Sequence, residues 1–242
     1  MISEVNYHPE DPSFAALAIS PTLEASDLEF VEIHNPGDAS VSLTNWRLRG
    51  EVDFDFLPSS SIAAGQTIVL VSFSPADTVT ASAFRTHYGT GSGVTLVGPF
   101  SGRLSNSFGR VELEQPGTPP ADNPTLIPRI TSDELLYDDS GPWDPSADGL
   151  GNSLYRVEAN ESGNSPLSWQ GDAPTPGAFS VPTPPPFLLG DTNQDGVVDF
   201  ADIPSFISIL QDGGFLDEAD INGDGVVDFA DISFFIELLI AQ

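Results

Sequence analysis

The sequence predicts a mainly β domain followed by a small helical one, and three observations carry that prediction. From Ile2 to about Phe179, short apolar runs are separated by turn residues with no sustained 3.6-residue period. Val181 to Pro186 then reads Val-Pro-Thr-Pro-Pro-Pro, a stretch that cannot donate a continuous hydrogen-bond ladder. Beyond it the period becomes helical: Ile203, Phe206, Ile207 and Leu210 lie at i, i+3, i+4 and i+7, and Ile232, Phe235, Ile236 and Leu239 repeat the pattern 29 residues later. The expected domains are residues 1–180 and 189–242, with a Pro-rich linker at 181–188.

Candidate strands in the first domain are Ile2 to Tyr7, Leu28 to His34, Ser40 to Leu48, Thr67 to Phe73, Val94 to Val97, Gly109 to Glu114 and Ser153 to Glu158. Between the second and third, Asn35-Pro36-Gly37-Asp38 reads as a type II turn joining antiparallel strands. Asp11 to Asp27 and Ser74 to Gly93 are longer polar connections, the second able to hold a short helix, and Gln115 to Pro128 runs over the surface. Trp46, Trp143 and Trp169 read as packing anchors.

Charge narrows the function. The chain has 36 acidic residues against 7 basic ones, and its net charge of -29 repels phosphate backbones and anionic lipid while attracting cations. This argues against nucleic-acid binding. No apolar run is long enough for membrane insertion. Cysteine is absent, so neither a disulfide framework nor a thiolate metal site is available. Met1 to Tyr7 carries no basic-then-apolar leader and reads as a strand already under way, as in a segment of a longer precursor.

The second domain collects hard oxygens at fixed spacing. Asp191, Asn193, Asp195, Val197 through its carbonyl, Asp199 and Asp202 occupy positions 1, 3, 5, 7, 9 and 12 of a loop with Gly196 at position 6. Asp220, Asn222, Asp224, Val226, Asp228 and Asp231 repeat the set around Gly225. This is the ligand order of an EF-hand calcium loop, twice over, so two calcium ions are expected. From Phe187 to Gln242 there are ten Asp and two Glu but no Lys or Arg, so binding of the ions should be coupled to folding. Each loop feeds directly into one of the two amphipathic segments, and Pro204 sits in the first turn of the first.

Duplicated loop-helix units with Asp at position 12 and little room for an incoming helix before Asp191 resemble a type I dockerin over about Leu189 to Gln242. That resemblance implies calcium-dependent docking to a cohesin-like protein. Its partner-reading pair, commonly Ser-Thr at loop positions 10 and 11, falls here on Phe200-Ala201 and Phe229-Ala230. The near-identity of the copies implies a pseudo-two-fold surface, although the two Phe could instead pack the halves together or cover the neighbouring β-domain.

The larger domain carries Ile2-Ser-Glu-Val-Asn-Tyr-His-Pro9, Glu29-Phe-Val-Glu-Ile-His-Asn-Pro-Gly37, Leu43-Thr-Asn-Trp-Arg-Leu48 and Ala64-Gly-Gln-Thr-Ile-Val-Leu70. Pro142 to Gly149, Gly151 to Leu154 and Pro174 to Ala178 add turn segments. Together they resemble the bacterial lamin-tail domain over about Ile2 to Phe179, which implies an immunoglobulin-like β-sandwich and accompanies secreted and surface proteins.

Catalytic signatures are wanting. His8, His34 and His87 have no ligand spacing, even with Glu4, Glu32 or Asp38 as helpers, and no nucleophile motif occurs. Asp144 to Asn152 imitates a third calcium loop but has Tyr155 at position 12, which favours a rigid Asp/Gly turn. The expected function is a non-catalytic, secreted, bacterial extracellular or cell-surface adaptor with a calcium-dependent docking module. The alternatives are a structural fibre-forming protein that self-associates through its tail, or a fragment of a polysaccharide-degrading enzyme.

Overall fold

A computed structural model of the chain describes residues 1–157, 162–179, 188–194 and 197–240, which fall into two units, Met1–Val181 and Pro182–Gln242. Glu158, the Pro-rich segment through Phe187, Asp195 and Gly196 lie outside the described residues.

The first unit runs β1 (Ile2–Asn6), α1 (Phe14–Ile19), β2 (Phe30–His34), β3 (Val41–Ser42), β4 (Arg47–Gly50), β5 (Val52–Asp55), β6 (Ser61–Ile62) and β7 (Thr67–Val71). It continues with α2 (Thr78–Tyr88), β8 (Leu96–Val97), β9 (Ser101–Gly102), β10 (Gly109–Pro116), β11 (Arg129–Tyr137), β12 (Ser153–Arg156) and β13 (Trp169–Asp172). One sheet has the order β13-β12-β1-β2-β7-β8 and the other β11-β10-β4-β5-β9, with β3 and β6 forming a small separate pair. The unit is mainly β, and its two large sheets make an immunoglobulin-like sandwich.

Alternation along the strands builds two cores. Val5, Val31, Ile33, Ile68 and Leu70 meet Leu48, Val111, Leu113 and Leu135 from the other sheet, and Trp143 and Trp169 close that core. Phe30, Val69 and Val71 pack instead with Ala16, Ala81, Ala83 and Phe84 of the two helices. The sheet containing β2 and β7 is thus covered on both faces, which is why both strands are almost entirely buried.

Three expectations change. The Asn35 turn makes no hairpin: β2 already pairs with β1 and β7, while β3 pairs with β6. Asn35 instead folds the chain with its side chain, accepting from the Gly37 amide at 3.1 Å and donating to Ala39, Ile62 and Ala63 carbonyls. Ser40 to Leu48 divides into β3 and β4, with Asn45 at φ 63° between them. Asp11 to Asp27 contains α1, capped by the Ser13 hydroxyl, which accepts from the Ala16 amide.

The covered face hides a pair of carboxyl groups. Glu4 and Glu32 are directly opposite each other on β1 and β2, and both are fully buried. Ser153 Oγ and the Thr175 amide donate to Glu4, while Ser3 Oγ and the Gly177 amide donate to Glu32. Burial, helped by the Glu32 charge, pushes Glu4 up to about 8; burial alone raises Glu32 to about 7. Both acids titrate higher folded than unfolded, so their stabilisation is complete below the ordinary Glu range and is lost as pH rises through 7 to 8. Urea unfolding of the sandwich is therefore expected to show a loss on the order of a few kcal/mol between mildly acidic and mildly alkaline pH, reduced in Glu4→Gln. A pH-independent midpoint would contradict this assignment.

The second unit holds α3 (Ile203–Asp212) and α4 (Asp231–Ile240), each preceded by a loop. Pro204 lies in the first turn of α3, as its sequence position predicts. Val198, Phe206, Ala219, Val227, Phe235 and Leu239 form the core, in which Phe206 and Phe235 stack at 4.2 Å. Ile207 and Ile236 do not join it: they are 44% and 50% exposed. Each helix packs along a narrower stripe than its i, i+3, i+4, i+7 pattern marks.

Candidate metal and docking site

The loops of the second unit repeat one hydrogen-bond plan. Asp202 and Asp231, at position 12, are fully buried at the starts of α3 and α4. Asp202 accepts from the Asn193 amide at 3.0 Å and from the Asp199 amide at 2.9 Å, one bond to each carboxylate oxygen. Asp231 accepts from Ile221 and Asn222 on Oδ1 and from Asp228 on Oδ2. Each acid thereby closes its loop across nine or more residues and satisfies donors that would otherwise be orphaned beside a buried charge.

Asp199 and Asp228, at position 9, use Oδ1 to accept from Ala201 and Ala230, each at 2.7 Å. Both loops therefore enter their helices through an Asp that caps the turn. In the second loop Asp220 Oδ2 accepts from the Gly225 amide at 2.9 Å, and Gly225 supplies the positive φ of 85° that the bend requires. Gly196, its counterpart, lies outside the described residues, as does the candidate ligand Asp195.

One atom tests whether a cation suits this arrangement. Asp220 Oδ1 is buried and has no hydrogen-bond partner among the described residues. A buried carboxylate oxygen in that position is costly unless a cation satisfies it. The surrounding donors, Asp, Asn and backbone carbonyls, are all hard oxygens, which suit calcium. Among the described residues no three acidic side chains converge as a finished metal cage, since both position-12 acids spend their oxygens on backbone amides. The residues fit calcium by type and by the orphaned oxygen. When bound, calcium would supply the positive charge these loops lack, with Asp191, Asn193, Asp199 and Asp202 holding one ion and Asp220, Asn222, Asp224, Asp228 and Asp231 the other, with the carbonyls of Val197 and Val226.

Contacts not foreseen from sequence join the two repeats. The Gly190 amide donates to the Glu218 carbonyl at 2.7 Å, and the Gln194 side chain donates to the Glu218 carboxylate at 3.1 Å. Within the first repeat, Thr192 donates its hydroxyl to the Asp202 carbonyl, while its own carbonyl accepts from Ser205. Val198 and Val227, at position 8, enter the core; their apolar type in both copies was the available signal.

Phe200 and Phe229 are 69% and 82% exposed, so they do not pack the halves together. Phe206 and Phe235 do that. Ala201 and Ala230 are exposed beside them.

In the first unit the three histidines do not converge on one centre. His8 pairs with Asp148, His87 accepts from the Ser13 amide, and His34 packs on Phe179. Asp144 accepts from the Ser146 and Gly171 amides, one on each carboxylate oxygen, so the acidic turn there is a structural bracket. All seven arginines have partners, including Asp55 for Arg49, Glu134 for Arg110 and Asp133 for Arg156. Among the described residues no helix is long and apolar enough to cross a membrane.

Comparison with protein families places these two units. Residues 1–108 match the lamin tail domain, a span that ends before β10, and residues 189–240 match the dockerin type I domain. No curated protein matches the chain. Both are non-catalytic modules; type I dockerins bind calcium and dock cohesins, and they occur in extracellular or cell-surface bacterial proteins. The chain carries a lamin tail domain followed by a type I dockerin domain.

Proposed function

We propose that this protein is a non-catalytic extracellular adaptor, secreted by a bacterium, whose dockerin (residues 189–242) binds two calcium ions. It docks a cohesin-like partner and carries the sandwich (residues 1–180) through the linker at 181–188. The observation that best supports this is a duplicated apolar surface. Val197, Phe200 and Ile207 are 52%, 69% and 44% exposed, and their counterparts Val226, Phe229 and Ile236 are 55%, 82% and 50% exposed. Equivalent positions 29 residues apart present the same side chains, so either copy can meet a partner. Exposed aromatic side chains are the type that anchors interfaces. The arginines, already held by carboxylates and carbonyls, offer little to phosphates, which supports a protein rather than a nucleic-acid partner.

Titration with a panel of cohesins, with and without calcium, tests the proposal. Calcium-dependent binding in trans is expected. Phe200→Ser and Phe229→Ser should each leave binding nearly intact, because the other copy substitutes. The double variant should lose about 2 kcal/mol or more, some thirtyfold in affinity. Self-association without cohesin binding would instead favour a fibre-forming role.

A further inference from the structure

The two loops differ at two residues, Thr192 against Ile221 and Gln194 against Gly223, and the second difference bears on their chemical lifetime. Asn222 is followed by Gly223, and it is the only Asn-Gly pair in the chain; the equivalent Asn193 is followed by Gln194. Gly223 is exposed at φ 73°, with nothing within 4 Å of where a Cβ would stand. Its amide donates to no partner among the described residues, whereas the Gln194 amide is bonded to the Asp191 carbonyl at 3.2 Å. The nucleophile of backbone cyclisation is therefore free and unhindered in the second loop, and tied and substituted in the first.

The electrophile is also set up. Asn222 Oδ1 accepts from the Asp224 amide at 2.9 Å, and Asn222 Nδ2 donates to Asp224 Oδ2 at 3.0 Å. The first bond polarises the side-chain carbonyl and would stabilise negative charge developing on its oxygen. The second only orients the side-chain amide, since Nδ2 donates in it and must gain its departing proton elsewhere.

We propose that Asn222 is a self-modification site: its side chain cyclises with the Gly223 amide and deamidates, selectively ageing the second loop. The Gly223 nitrogen forms a bond to Asn222 Cγ, and the Cγ–Nδ2 bond breaks. The nitrogen leaves as ammonia, carrying the proton from the Gly223 amide. Water then opens the cyclic imide at either carbonyl, giving aspartate or isoaspartate. Isoaspartate adds a methylene to the backbone between Asp220 and Asp224, displacing two candidate ligands. Calcium slows the reaction by fixing the Asn222 side chain and the loop backbone, so that the Gly223 nitrogen cannot close on Cγ. That last step rests on the proposed calcium function, whereas the cyclisation does not.

The test is peptide mass mapping of the full-length chain aged at mildly alkaline pH, in calcium and in chelator. In chelator, where the second unit is expected to unfold, the Asn222 peptide should still deamidate about tenfold or more faster than the Asn193 peptide, because glycine offers no Cβ to obstruct attack. Gly223→Gln, which copies a residue the first loop accommodates at φ 61°, should stop it. Gly223→Asn, a residue tolerant of positive φ, is the second variant should the first fold poorly. Equal rates at Asn222 and Asn193, or unchanged conversion in either folded variant, would overturn the site. An Asn222 rate that ignores calcium would overturn the protection. Circular dichroism of the same samples then separates the causes: a helical response to calcium means the ion binds without shielding Asn222, and no response means the calcium reading itself has failed.

Discussion

Chelating calcium from the full-length chain is expected to abolish the helical signal of α3 and α4 while leaving the sandwich folded. Twelve carboxylates lie beyond Phe187 with no Lys or Arg to offset them, and one buried oxygen of Asp220 has no hydrogen-bond partner among the described residues. Helices of ten residues are too short to persist alone, and among the described residues the core joining them has six buried apolar side chains. A ligand at a hundredfold excess over its Kd adds about 2.7 kcal/mol per site, so two sites supply about as much as the whole stability of so small a domain. The sandwich has its own two cores. Far-ultraviolet circular dichroism and amide proton spectra in chelator should show residues after Gly190 losing dispersion while strand resonances persist. Helical signal that survives chelation would count against the coupling of metal to folding.

Replacing Asp231 with alanine is expected to have the largest effect of any single substitution in the second unit, with Asp202→Ala its match in the first loop. Asp231 is fully buried, and its removal orphans the amides of Ile221, Asn222 and Asp228. Leaving a fully buried donor unsatisfied costs about 1–3 kcal/mol, and these three part-buried amides each cost up to that much before any loss of metal is counted. Asp231→Ala should therefore remove one calcium equivalent and unwind α4, while the exposed Asp224→Ala weakens the site without orphaning buried donors. Calorimetric stoichiometry falling from two to one in Asp231→Ala and in Asp202→Ala, with partial loss of helix, is the expected result. Two unaltered sites in either variant would contradict the assignment of position 12.

The second unit was the more legible in sequence because fixed spacing does its structural work. The position-12 acids and the start of each helix lie where the repeat of 29 residues puts them. The outward faces of Ile207 and Ile236 were not legible, since periodicity marks an apolar stripe but not how much of it a single partner helix can cover. In the sandwich, continuous burial of β7 was visible as the apolar run Ile68 to Val71, whereas β2 carries Glu32 and His34 and gave no such signal, and the helices that bury their outer face were harder to see. The six-residue α1 is too short to show a period. Strand β11 was missed because its only fully buried side chains are Leu135 and Tyr137, leaving Ile130 to Ser132 exposed and polar alternation weak. The hairpin expected at Asn35 failed for a tertiary reason: both edges of β2 were already taken.

Calorimetric titration of calcium into the metal-free full-length chain, with helical circular dichroism followed on the same samples, tests the central claim most directly. The account predicts two ions bound and helix gained in proportion to their binding. Binding of fewer than two ions, or binding without any gain of helix, would contradict it.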